Sequence, residues 1–163
     1  MGRIKQLWID FAVSALLPFG THWVRRQERF ILSEGRPLSE WETRWAKNVG
    51  VERPEIVRIL PVPRVPTPGS WVSLAFSRLF GFVADGPTGM AVNYGIYLDA
   101  TQATNPSLLV HELVHVAQFE KLGGIRGFLR EYLTQWLQDG YWESALECEA
   151  REAAAPFARP PGG

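Results

Sequence analysis

The stretch Leu108 to Ala117 restricts this chain more than any other. Leu-Leu-Val-His-Glu-Leu-Val-His-Val-Ala is apolar on nearly every side of a helix, yet it carries two histidines and a glutamate at its middle. A helix that is hydrophobic all round is buried. Left unpaired in a core, those three side chains would be destabilising by several kcal/mol. The fold must therefore supply partners. His111 and His115 stand at i and i+4, on one face and a turn apart, so both can reach a single ion. Glu112 adjoins the pair, where it can hold a metal-bound water. A metal with its water resolves the burial cost; a His-Glu-His cluster tied into core hydrogen bonds is the plainer alternative.

A catalytic zinc takes three protein ligands and keeps one position open. The chain has three histidines and one cysteine, Cys148, so a thiolate-rich zinc site is excluded. The third ligand is then a carboxylate or His22. His22 sits in a Thr-His-Trp segment beside basic residues and has no spacing signal, which reads as a surface histidine. The C-terminal helix offers Glu143, Glu147, Glu149 and Glu152. Its apolar stripe runs through Trp142, Leu146, Ala150 and Ala153, flanked most closely by Glu143 and Glu149, with Glu147 further round. Several glutamates on one short helix ordinarily form a solvated face with pairs such as Glu147 to Arg151. Helical phase thus leaves the ligand as one of these carboxylates. Cys148, between two glutamates, is poorly placed to act as a nucleophile.

At 163 residues the chain fits one domain able to bury a core. Apolar residues make up 46 % and charged residues 21 %, as in soluble globular proteins. Lys plus Arg and Asp plus Glu number 17 each, so net charge does not point to nucleic acid. A single cysteine excludes an intrachain disulfide framework and suits a reducing, cytoplasmic compartment. Near the N-terminus, Arg3 and Lys5 precede an apolar run from Leu7 to Phe19. Asp10 interrupts it, it is too short to span a bilayer, and no clean small-x-small cleavage site follows. The run is expected to be a core-packing helix followed by a basic turn at Arg25, Arg26 and Arg29. Peripheral membrane contact through residues 1–30 is the alternative reading.

Residues 1–50 read as helical, with Ser39 and Glu42 forming a capping box and Gly50 closing the helix. Glu55–Val62 and Met90–Asp99 read as strands, the second with a bulge at Gly95. Ser70 is expected to cap a helix over Trp71–Phe80, and Asp85-Gly86-Pro87 to turn. Asn105 and Pro106 start the motif helix, which stops at Gly123-Gly124. Helices over Ile125–Leu137 and Trp142–Ala155 follow. The expected architecture is one α+β domain: a helical region over 1–55, a core over 56–155 with a small antiparallel or mixed sheet, and a disordered tail over 156–163.

His111-Glu112-Leu113-Val114-His115, followed by Glu147-Cys148-Glu149-Ala150, resembles the gluzincin class of zinc metallopeptidases, whose pattern is HExxH on one helix and ExxA on a later antiparallel helix. Met90 to Ala150 is similar to small bacterial minimal gluzincins of unassigned role. The resemblance implies a zincin-like fold, with Glu147 as third zinc ligand and Ala150 permitting close helix packing. It implies a peptide or protein substrate, paired by main-chain hydrogen bonds with the strand beside the motif helix. It also implies a Tyr or His donor for the oxyanion, for which Tyr141, Tyr132, Tyr94 and Tyr97 are candidates and Tyr141, just before the glutamate helix, is preferred. Many members carry Asp after the ExxA alanine to orient the first histidine; this chain has Arg151, so Glu143 or a backbone carbonyl would have to serve. The expected protein is a monomeric zinc peptidase with Glu112 as general base. Its rival is a non-catalytic domain that zinc stabilises for interaction with partners.

Overall fold

The computed structural model describes residues 2–67, 86–140 and 142–158. Among them α1 spans Gly2–Glu34, β1 Arg36–Pro37, α2 Glu40–Asn48, β2 Arg58–Val62, β3 Gly89–Val92 and β4 Gly95–Asp99. There follow α3 (Pro106–Lys121), α4 (Ile125–Asp139) and α5 (Ala145–Ala154). The architecture is α+β, with a mixed sheet of order β1-β2-β4-β3. β1 and β3 run antiparallel to their neighbours, and β2 pairs in parallel with β4, Ile59 opposite Ile96.

Local chemistry explains most boundaries. The Ser39–Glu42 capping box forms, Val49 ends α2, and Gly50 follows at a φ of 94°. Between α1 and α2 the chain enters the sheet through β1, which the helical reading of residues 1–50 did not anticipate. The strand expected over Glu55–Val62 begins only at Arg58, because Pro54–Ile56 forms a 3-10 turn closed by Val57 N–H on Pro54 O.

The single strand expected over Met90–Asp99 is instead a hairpin, with Val92 opposite Gly95. Asn93, at a φ of 61°, supplies the left-handed residue that a two-residue loop needs. Glu28 of α1 holds that loop, accepting from Asn93 Nδ2 at 2.6 Å and Tyr94 N–H at 3.4 Å. Gly95 is not a bulge. A Cβ there would lie 2.8 Å from Ile31 Cδ1, so glycine lets α1 pass close over the strand.

β4 is buried on both faces. Ile96 and Leu98 join Ile59, Leu109, Leu113 and Val116 in one cluster, while Tyr97 joins Val24, Ile31, Val92 and Phe128 in another. Farther out, Ile9 and Val13 of α1 pack on Leu133 and Trp136 of α4. The last helix begins at Ala145, not Trp142. Its first turn is held by Gln135 of α4, whose Oε1 accepts from Ser144 Oγ at 3.0 Å and Leu146 N–H at 3.1 Å. After α5 the Phe157 ring meets Trp45 edge-on, centroids 5.5 Å apart. The helix expected over Trp71–Phe80, its Ser70 cap and Gly81, Asp85, Tyr141 and residues 159–163 lie outside the described residues.

Candidate metal centre

Helix α3 is set in place at both ends. Asn105 Oδ1 accepts from the Ser107 and Leu108 N–H groups, and Pro106 occupies the first turn, where no N–H is needed. At the far end Glu120 accepts from the Glu52 and Arg53 N–H groups at 2.7 and 3.1 Å. Between these anchors Leu109, Leu113 and Val116 bury against the sheet, which turns His111 and His115 toward α5. Ser107, near the start of α3, donates to Ala154 O at the end of α5. Gln118, near the end of α3, donates to Leu146 O at the start of α5. The two helices therefore run antiparallel. Ala150, fully buried, keeps them close and brings buried Glu147 against the histidines.

Three ligand atoms converge. His111 Nε2 and His115 Nε2 lie 3.1 Å apart. Glu147 Oε2 lies 3.3 Å from His111 Nε2, and Oε1 lies 3.5 Å from His115 Nε2. These residues are able to hold a metal ion. Tyr132 of α4 donates to Glu147 Oε1 at 2.8 Å. Oε2 is buried and, among the described residues, has no aligned hydrogen-bond donor; the His111 ring is the neighbour 3.3 Å away.

Gln118 sets the tautomer of His115. Its Nε2 donates to Leu146 O at 3.0 Å and to Glu149 Oε2 at 2.8 Å. Both partners are acceptors there, so the amide can take only one orientation, with Oε1 facing His115 Nδ1 at 2.8 Å. The proton of that contact belongs to Nδ1. In the neutral ring Nε2 therefore keeps a lone pair directed at the cluster, the arrangement a metal-binding histidine requires.

Glu112 occupies the opposite flank of the motif, buried against β3. A Cβ on Gly89 would come within 2.5 Å of Glu112 Oε1, so glycine there makes room for the carboxylate. Because Val92 and Gly95 close a two-residue hairpin, Ala91 and Gly89 direct their main-chain groups away from β4, toward α3. Glu112 takes the Ala91 N–H.

Burial pushes the Glu112 carboxyl above its ordinary pKa; His115, His111 and the Ala91 N–H oppose this, while the Glu147 charge adds to it. Burial alone would also raise Glu147, but the two imidazoles and the Tyr132 hydroxyl outweigh it and hold the group far below the usual carboxylate range. For His115 burial acts downward, and hydrogen bonding and charge from Glu147, helped by Glu112 and Gln118, carry the net shift upward. Burial thus works against charge on Glu112, while the groups around Glu147 hold it as a carboxylate.

Of the other candidates, His22 lies exposed on α1 and takes no part in the cluster. Glu143 is exposed, and Glu149 serves Gln118. Arg151 is clamped to the preceding turn: Nη2 donates to Trp142 O and contacts Cys148 Sγ, and the guanidinium lies over the Trp142 ring. Tyr94 is bonded to Glu120 and Tyr97 to Gln27, which leaves Tyr132 as the described tyrosine at the site. Gln118 was missed by sequence reasoning. Its signal was available: a polar residue one turn beyond His115, on the same face of a buried helix. Comparison with protein-family models, curated proteins and solved structures finds no match.

Proposed function

We propose that this protein is a zinc-dependent peptidase whose metal is held by His111, His115 and Glu147 and whose general base is Glu112. The observation that carries the reading is the convergence of those three ligands beside a buried glutamate at β3, the outermost strand of the sheet among the described residues. The donor set fits the metal. Zinc bonds of about 2.0–2.1 Å at tetrahedral angles place ligand atoms about 3.3 Å apart. The closest contacts here are 3.1, 3.3 and 3.5 Å. A cation would also give Glu147 Oε2 the partner it lacks among the described residues.

When bound, zinc supplies Lewis acidity that brings the pKa of a water toward about 7. Glu112, its own pKa raised by burial, receives a proton from the attacking water and returns it to the leaving amine. Gln118 holds His115 in the required tautomer, and Tyr132 orients Glu147. The outward main-chain groups of Gly89 and the Ala91 carbonyl offer an extended peptide an antiparallel or parallel partner, next to the base.

Metal analysis and a cleavage assay test the reading together. Protein purified without chelators should carry about one zinc per chain. Glu112→Gln should retain the metal and lose roughly 100- to 10,000-fold in peptide hydrolysis. Metal-free protein sinks the assignment. Metal retained with no hydrolysis by the native chain would favour the zinc-stabilised interaction domain instead.

A further inference from the structure

Helix α1 carries a surface that the candidate centre does not use. Its inner face, through Ile9, Val13 and Leu17, is buried against the rest of the molecule. On the outer face Ile4, Leu7, Trp8 and Phe11 are 76 %, 69 %, 59 % and 74 % exposed. Positions 4, 7, 8 and 11 have i, i+3, i+4, i+7 spacing and form one continuous stripe. Such an exposed stripe marks an interaction site and not a core.

The rest of the helix says what that site meets. His22, Arg25, Arg26 and Arg29 repeat the same spacing, each 18 residues beyond its apolar counterpart, and all four are exposed. Eighteen residues are five full turns of an α-helix, about 27 Å along the axis. The basic quartet therefore continues the line of the apolar one. The intervening positions on that line, Ala15 and Pro18, are exposed and nonpolar as well. The acidic residues of α1 lie off it: Asp10 accepts from Gln6, Glu28 is engaged with Asn93, and Glu34 falls at the far end. Among the described residues none of the three arginines is drawn into an ion pair.

We propose that α1 binds an anionic lipid surface, lying along it with the apolar quartet inserted among acyl chains and the basic quartet on lipid phosphates. Charge complementarity selects this occupant. A second copy of the chain would bring the same arginines against each other or leave them facing water, whereas a phosphate-bearing layer satisfies both ends of the line at once. The contact is peripheral, since among the described residues no helix is long and apolar enough to cross a membrane. It is independent of the metal centre and of any peptidase activity.

Vesicle co-sedimentation of the full chain tests this. Binding is expected to vesicles containing phosphatidylglycerol, to weaken as salt rises, and to be far weaker with phosphatidylcholine alone. Replacing Arg25, Arg26 and Arg29 together by Gln should lower the partition coefficient on the order of a hundredfold. Phe11→Glu, at an exposed site, should abolish binding while circular dichroism and metal content stay unchanged. Failure of the native chain to sediment with either vesicle overturns the proposal, as does sedimentation that both variants retain. A concentration-dependent dimer, without vesicle binding and broken by Phe11→Glu, would also overturn it and assign the stripe to self-association.

Discussion

Two residues next to the candidate centre carry sharp expectations. Gln118 has a single job at the His115 ring, since its amide nitrogen is committed to Leu146 O and Glu149. Gln118→Ala should lower zinc affinity about 10- to 100-fold, read by competition with a chelating dye, because the imidazole loses the partner that fixes its tautomer. Gln118→Glu keeps an acceptor facing Nδ1 but sets its second oxygen against Leu146 O and Glu149, so it should not restore the native affinity. At Gly89 the expectation separates binding from turnover. Gly89→Ala puts a methyl where Glu112 Oε1 now lies, so metal content should persist while hydrolysis falls. Equal activity of the alanine variant and the native chain would show that Glu112 does not need its present position.

At the level of elements, the entry to α2 links sequence pattern, charge and pH. Glu42 closes the capping box with Ser39 and also takes both Arg36 Nη atoms at 2.7 Å. Partial burial works to raise its pKa, but the Arg36 and Ser39 hydrogen bonds win and the net shift is downward. A depressed carboxylate stabilises the fold above its unfolded pKa of about 4.3 and loses that contribution as pH falls through the lower folded value. Glu42→Gln should therefore cost about 1 kcal/mol at neutral pH by denaturant titration and little in strong acid. The β3–β4 hairpin gives a second case. Asn93→Ala should be destabilising by about 1 kcal/mol more than Asn93→Gly, because both lose the Glu28 contact but only alanine must also bear the left-handed backbone. This turn is also where the strand reading of Met90–Asp99 failed: alternation persists through a two-residue loop, and only the positive φ at Asn93 reverses the chain.

Across the whole molecule the candidate centre joins α3 to α5, two helices also tied by Ser107, Gln118 and close packing at Ala150. A metal held there would bind the folded state, since the cluster exists only when α3 and α5 are packed. Zinc at a hundredfold excess over Kd should raise unfolding free energy by about 2.7 kcal/mol, and calorimetry should show that gain vanish with Glu147→Ala. The buried HExxH helix and its caps were legible from residue order, because a continuous apolar run, the i, i+4 histidines, Asn105-Pro106 and Gly123-Gly124 act locally. So were the capping box and the mixed α and β content. Which carboxylate completes the cluster was not legible from phase. The stripe drawn through Trp142 and Ala153 assumed a helix from Trp142 onward. In the structure Gln135 of α4 caps the helix at Ala145, Trp142 lies in the preceding turn, and the buried face shifts to Leu146, Glu147, Ala150 and Ala154. That shift comes from contacts between residues distant in sequence, which no local pattern encodes. Residue order alone determined that two histidines and a glutamate would sit on one largely buried helix and that the histidines would need a partner. Helical phase left the carboxylate open and only the motif resemblance pointed to Glu147; the packing of α3, α4 and α5 is what brings Glu147 to the two histidines, with Tyr132 and Gln118 holding it and His115 in place.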